Sequence, residues 1–117
     1  MLRLEWTRLV NRCRFSWQGV RHVWRAEPSF RFWSLINIAS ATLALALPLS
    51  GSERGLILGL GVLVLAAECL NTGIERVVDM FGEDHTALGG QAKDAASAGV
   101  ALAAVAGGVA WLCVLVW

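Results

Sequence analysis

The chain has 117 residues, 56% of them hydrophobic and 16% charged, with a formal net charge of +1. That length holds one domain, and the composition is too apolar for a soluble domain of this size, which exposes much of its surface. The near-zero charge excludes a global nucleic-acid-binding surface, and Cys13, Cys69 and Cys113 are odd in number and lack metal-ligand spacing, so they read as small apolar fillers.

The charges are segregated along the chain. Residues 1–31 hold seven Arg against Glu5 and Glu27, while residues 68–94 hold six acids against Arg76 and Lys93. The expected class is an all-α integral membrane protein. No apolar run long enough for a signal sequence precedes Arg31, so a cleavable signal peptide is not expected. Residues 4–25 form an amphipathic pattern, with Leu4, Leu9, Val10, Cys13, Trp17, Val20 and Trp24 on one side and Arg8, Arg12, Arg14 and Arg21 around the rest. Arginine opposite Trp and Phe is the signature of a helix lying in a membrane interface. Pro28 then disfavours helix at Glu27 and ends it.

A first spanning helix is expected over about 29–47, stopped by Pro48, followed by a short turn through Arg54. A second is expected over 55–81, a polar loop over 82–90, and a third over about 94–117, whose last 23 residues carry no charge. The third span is rich in Ala and Gly (Ala98, Gly99, Ala103, Ala104, Gly107, Gly108), which suits close helix packing. The basic bias before the first span places the N-terminus in the cytoplasm. The end of the second span then falls on the cytoplasmic side, where ATP is.

That end carries the chemistry. At about 100° per residue, Glu68, Asn71, Glu75 and Asp79 share one helix face. A bilayer core of ~30 Å takes about 20 residues, which puts Glu68 just inside the boundary and Glu75 and Asp79 just outside it. Carboxylates at that level cost several kcal/mol unless they face protein, water or a cation. A site open to cytoplasm and lipid suits transfer between a soluble donor and a lipid headgroup. Phosphoryl transfer needs a metal, a basic clamp and a base. Glu27 with Glu75 suits Mg²⁺, Lys93 suits a phosphate, and Glu68 suits the general base. There is no Walker A loop, kinase Gly-rich loop or dinucleotide fingerprint, so the residues alone read as a membrane enzyme or transporter with a cytoplasmic-face cation site.

The run Ala67-Glu-Cys-Leu-Asn-Thr-Gly-Ile-Glu-Arg-Val-Val-Asp79, then Gly82, Ala92-Lys93-Asp94 and Ser97, resembles the signature of the prokaryotic diacylglycerol kinase family. Ser16-Trp17-Gln-Gly19, Arg21, Trp24, Glu27 and Phe30-Arg31 match its N-terminal part at the same spacing, so the resemblance covers almost the whole chain. It implies a homotrimer in the bacterial inner membrane, each subunit with a surface helix and three spanning helices, using Mg²⁺-ATP to phosphorylate a lipid alcohol. By position, the catalytic base falls on Glu68 and the metal carboxylates on Glu27 and Glu75. Nucleotide contacts fall on Arg8, Phe15, Glu27, Asn71, Glu75, Asp84, His85, Thr86, Lys93 and Asp94. Lipid contacts fall on Cys13, Arg14, Ser16, Trp17, Arg21, Trp24, Phe30, Arg31 and Ser97.

The chain departs from the family pattern in places. Phe15 stands where Tyr is frequent, Gln18 where Lys is common, and Phe32-Trp33 where polar or acidic residues are usual. His85 is one position from the family's frequent loop histidine. The family has diacylglycerol and undecaprenol branches, and Ser16-Trp17 with Trp24 favours diacylglycerol over undecaprenol, the alternative. A small oligomeric channel is a further alternative, but it would need a complete polar path, and residues 55–67 and the third span offer almost none.

Overall fold

The computed structural model describes residues 1–82 and 86–117. Its regular structure is helical: α1 (Leu2–Ala26), α2 (Pro28–Ala46), α3 (Gly51–Asp79) and α4 (Ala87–Val116).

Local chemistry fixes the helix ends. Glu27 is extended (φ −113°, ψ 108°) and separates α1 from α2. Pro28 excludes helix at the residue before it and suits the first helical position, where no N–H is needed. Arg31 reaches back from α2, donating from Nη1 to Trp24 O at 2.8 Å and Arg25 O at 3.3 Å. Those are carbonyls that the end of a helix leaves without intrahelical partners. The same device recurs one helix later. Arg54 Nε donates to Ala44 O at 3.0 Å and Nη2 to Leu47 O at 3.3 Å, closing α2 from α3.

Helix α3 starts at Gly51, four residues before the Gly55 that hydropathy indicates. The cause is a capping box: Glu53 N–H donates to Ser50 Oγ at 3.2 Å and Ser50 N–H to Glu53 Oε2 at 2.7 Å. Its end turns at Gly82, whose φ of +107° favours glycine. Helix α4 starts at Ala87, inside the stretch read from sequence as loop, because Thr86 Oγ1 accepts from Gly89 N–H at 3.0 Å.

The centre of the bundle is α3, which packs along α4 and α2 and also touches α1. Gly61 lets α2 come close, since a Cβ there would overlap Asn37 Oδ1. Asn37 is itself held by donating to Trp33 O at 2.9 Å. Trp111 Nε1 on α4 donates to Ser40 Oγ on α2 at 2.8 Å, tying the outer helices together.

The buried apolar set is small: Val23, Phe30, Ala44, Ile57, Val64, Val100 and Ala110. Large side chains such as Leu63, Leu102 and Leu112 remain more than half exposed. The radius of gyration, 17.5 Å, exceeds the ~13 Å of a compact domain of this length. Helices α3 and α4 are long and apolar enough to cross a membrane. At 29 residues, α3 rises ~44 Å, more than a ~30 Å hydrocarbon core requires. Helix α2 falls short of the same apolar measure because Arg31, Asn37 and several Ser and Thr dilute it.

Candidate active site

The carboxylate-bearing end of α3 is where the chain concentrates its polar side-chain contacts. Glu68 is 4% exposed and Thr72, one turn on, 3%. A buried carboxylate needs hydrogen-bond donors or a countercharge. Ser29, in the first turn of α2, supplies one: its Oγ donates to Glu68 Oε2 at 3.1 Å. Asn71 Nδ2 donates to Glu75 Oε1 at 3.2 Å within the stripe.

Two ion pairs flank these groups. Arg76 Nη2 donates to Glu27 Oε1 at 2.8 Å, joining α3 to the α1–α2 junction. Lys93 Nζ donates to Asp79 Oδ1 at 2.5 Å, joining the end of α3 to the first turns of α4. Four contacts thus gather groups from α2, α3, α4 and the α1–α2 junction along one end of α3.

Two oxygens in this region are buried without a hydrogen-bond partner among the described residues, Asn71 Oδ1 and Thr72 Oγ1. Thr72 lines a cavity of about 330 Å³ between α1 and α3, with Ser16, His22, Cys69 and Arg76 also on its wall. The cavity lies directly beneath the amphipathic helix.

The residues expected at nucleotide and lipid sites are distributed unevenly. Glu68, Asn71, Glu75 and Lys93 fall within the cluster, and Glu27 reaches it through Arg76. Asp94 is exposed beside Lys93, and Ser97 is exposed one turn further along α4. Thr86 is occupied as the α4 cap, while Asp84 and His85 lie outside the described residues. Arg8 pairs with Glu5 at 3.0 Å within α1, and Phe15 is exposed on the same helix. Neither has a hydrogen bond to the α3 stripe among the described residues.

Cys13, Arg14, Ser16, Trp17 and Arg21 are exposed on α1. Trp24 meets the buried Phe30 edge-on, with ring centroids 6.3 Å apart, which anchors the end of α1 on α2. Arg31 is engaged at the carbonyl end of α1.

Ser29 and Arg76 were not among the sequence-derived site residues. Their partners lie 39 and 49 residues away, so helical periodicity has no means of linking them. The available signals were a hydroxyl directly after Pro28 and a lone Arg within the acidic stripe.

The family model for prokaryotic diacylglycerol kinase matches residues 14–115. The diacylglycerol kinase of Escherichia coli (strain K12) is 34% identical over 111 residues, 95% of this chain and 90% of that protein. The diacylglycerol kinase of Haemophilus influenzae is 33% identical over 105 residues, 90% of this chain and 89% of that one. That of Pseudomonas aeruginosa is 32% identical over 108 residues, 92% and 88% of the two chains. With the match running through the α1–α2 junction, the α3 stripe and the start of α4, the chain belongs to the prokaryotic diacylglycerol kinase family.

Proposed function

We propose that the protein transfers the γ-phosphoryl group of ATP to the free hydroxyl of diacylglycerol, giving phosphatidic acid at the cytoplasmic membrane face. The observation that carries this reading is Glu68, a carboxylate 4% exposed on a helix apolar enough to cross a membrane. It sits where a lipid hydroxyl arriving from the bilayer meets groups suited to phosphate. The names of the similar kinases supply the substrate.

In this mechanism Glu68 accepts the proton of the attacking hydroxyl as the hydroxyl oxygen bonds to the γ-phosphorus. The bond from that phosphorus to the β–γ bridging oxygen breaks, and ADP leaves with that electron pair. Lys93 lies at the α3–α4 end of the cluster, suited to a phosphate oxygen, and Asp79 holds its ammonium in place until the nucleotide arrives. Thr72 and Ser16 line the cavity beneath α1, which we assign to the head of the lipid. Trp17, Arg21 and Trp24 are exposed on the same helix and suit the membrane interface.

Mg²⁺ suits the donors present. Glu27 and Glu75 are carboxylates, and Asn71 Oδ1 is a buried oxygen without a partner among the described residues, beside the carboxylate to which its own Nδ2 donates. Hard oxygen donors completed by substrate phosphates are what this ion favours. When bound, it would neutralise phosphate charge.

The remaining architecture follows from the same reading. Helix α2, 19 residues long, rises ~29 Å and serves as a third span despite its polar residues, with Ser40 and Asn37 turned to neighbouring helices. The seven Arg of residues 1–31 keep α1 on the cytoplasmic surface. The exposed apolar faces of α3 and α4 are covered by lipid and by two further copies in a homotrimer.

The test is ATP-dependent phosphate incorporation by purified protein, with diacylglycerol and undecaprenol offered in parallel. Mg²⁺-dependent labelling of diacylglycerol is expected. Absence of labelling, or preferential labelling of undecaprenol, overturns the assignment.

A further inference from the structure

Several hydroxyls on these helices turn back on their own backbone. Thr7, Ser34 and Thr42 donate to the carbonyls of Arg3, Phe30 and Ile38, four residues earlier, at 2.8–2.9 Å. Ser29 does not. It is the second residue of α2 and Glu27 is the N-cap, so the carbonyl four residues before it belongs to α1. Its hydroxyl instead crosses to α3 and donates to Glu68 Oε2 at 3.1 Å.

The crossing has a structural cause. Pro28 pre-sets the first turn of α2, and Phe30, 4% exposed, seats the next residue in the core. Ser29 is thereby held between a rigid residue and a buried one. No capping role competes for the hydroxyl, since α2 has no side-chain cap hydrogen bond. Glu68 has several rotatable side-chain bonds, and a base is useful only if its lone pair is aimed at the proton it takes. A donor fixed on one oxygen settles the rotamer and leaves the other oxygen to the substrate.

We infer that Ser29 is a positioning residue for phosphoryl transfer, acting through Glu68. The inference rests on the reading of Glu68 as the base.

Ser29→Ala, Ser29→Thr, Glu68→Gln and the Ser29→Ala/Glu68→Gln double variant test it in purified full-length protein, with kcat and both KM values measured separately. Ser29→Ala is expected to lower kcat on the order of tenfold, the scale of losing an orienting hydrogen bond to a carboxylate. KM for ATP and for diacylglycerol should stay near the parent values, and Ser29→Thr should restore most of the rate. In the Glu68→Gln background, Ser29→Ala should change the residual rate little, because two residues acting as a unit are not additive. An unchanged kcat in Ser29→Ala overturns the inference, as does a full extra loss in the double variant. A fully active Glu68→Gln is a different result: it removes Glu68 as the base, and the positioning role with it.

Discussion

Arg76 Nη2 and Glu27 Oε1 lie 2.8 Å apart, so the carboxylate expected to hold a cation already holds a guanidinium. Arg76 follows Glu75 directly, and the pair spans the α1–α2 junction and α3. Its side chain is 51% exposed and that of Glu27 20%, so the pair contributes at most ~1 kcal/mol to folding. Its importance lies at the site: if Glu27 holds Mg²⁺ as proposed, Arg76 competes with the ion for the same carboxylate. Arg76→Ala should therefore leave the thermal midpoint nearly unchanged and lower the Mg²⁺ concentration that half-saturates turnover. A raised Mg²⁺ requirement would show that Arg76 helps to assemble the site.

Glu75 should behave in the opposite sense. Its Oε1 accepts from Asn71 Nδ2, and Glu75→Gln replaces a hard anionic donor with a neutral amide. Mg²⁺-ATP binding should weaken and turnover fall sharply. Titrating Mg²⁺ at fixed ATP checks this, and near-normal activity at limiting Mg²⁺ would remove Glu75 from the site.

The stripe was legible in the sequence because its spacing depends on a single helix. Glu68, Asn71, Glu75 and Asp79 needed only the 3.6-residue period to be placed on one face. Partners from other helices were not legible. Ser29 meets Glu68 and Arg76 meets Glu27 only after α2 has folded back along α3. Helices α3 and α4 begin before the hydropathy boundaries for a related reason. Hydropathy detects apolar content, whereas Ser50 and Thr86 begin helices in polar stretches by supplying an oxygen to a free N–H. The Ser50-Gly-Ser-Glu53 spacing was itself a capping-box signature. Helix α2 is the converse: its hydroxyls and Asn37 lower its apolar score, although Ser34 and Thr42 satisfy their hydroxyls within the helix itself.

Gly61 supports this architecture without touching the site. Adding a methyl group would force Asn37 away from α3 and disturb its bond to Trp33 O. Overpacking of this kind costs about 1–3 kcal/mol. Gly61→Ala should lower the thermal midpoint while leaving the KM for ATP unchanged in the protein that remains folded. An unaltered midpoint would mean that α2 and α3 are less closely seated than this contact requires.

The most demanding prediction is that each active site is shared between chains. Within one chain, Arg8 pairs with Glu5 and Phe15 is exposed, while Lys93 and Glu75 lie by the α3 stripe. Helix α1, with 25 residues, is ~38 Å long, enough to reach across the groove of a neighbouring subunit. In a homotrimer the α1 wall would come from one chain and the Glu75–Lys93–Asp94 chemistry from another. Two variants expected to be inactive test this: a bulky replacement, Cys13→Trp, on the exposed side of α1, and Lys93→Leu in the proposed catalytic set. Unfolded together in equal amounts and reassembled, they should regain activity, since random closure of a symmetric ring gives roughly a quarter of composite sites two intact halves. Each variant reassembled alone should stay inactive. Mixed trimers that form yet remain as inactive as either parent would mean that each site is built within a single chain, with α1 serving its own α3.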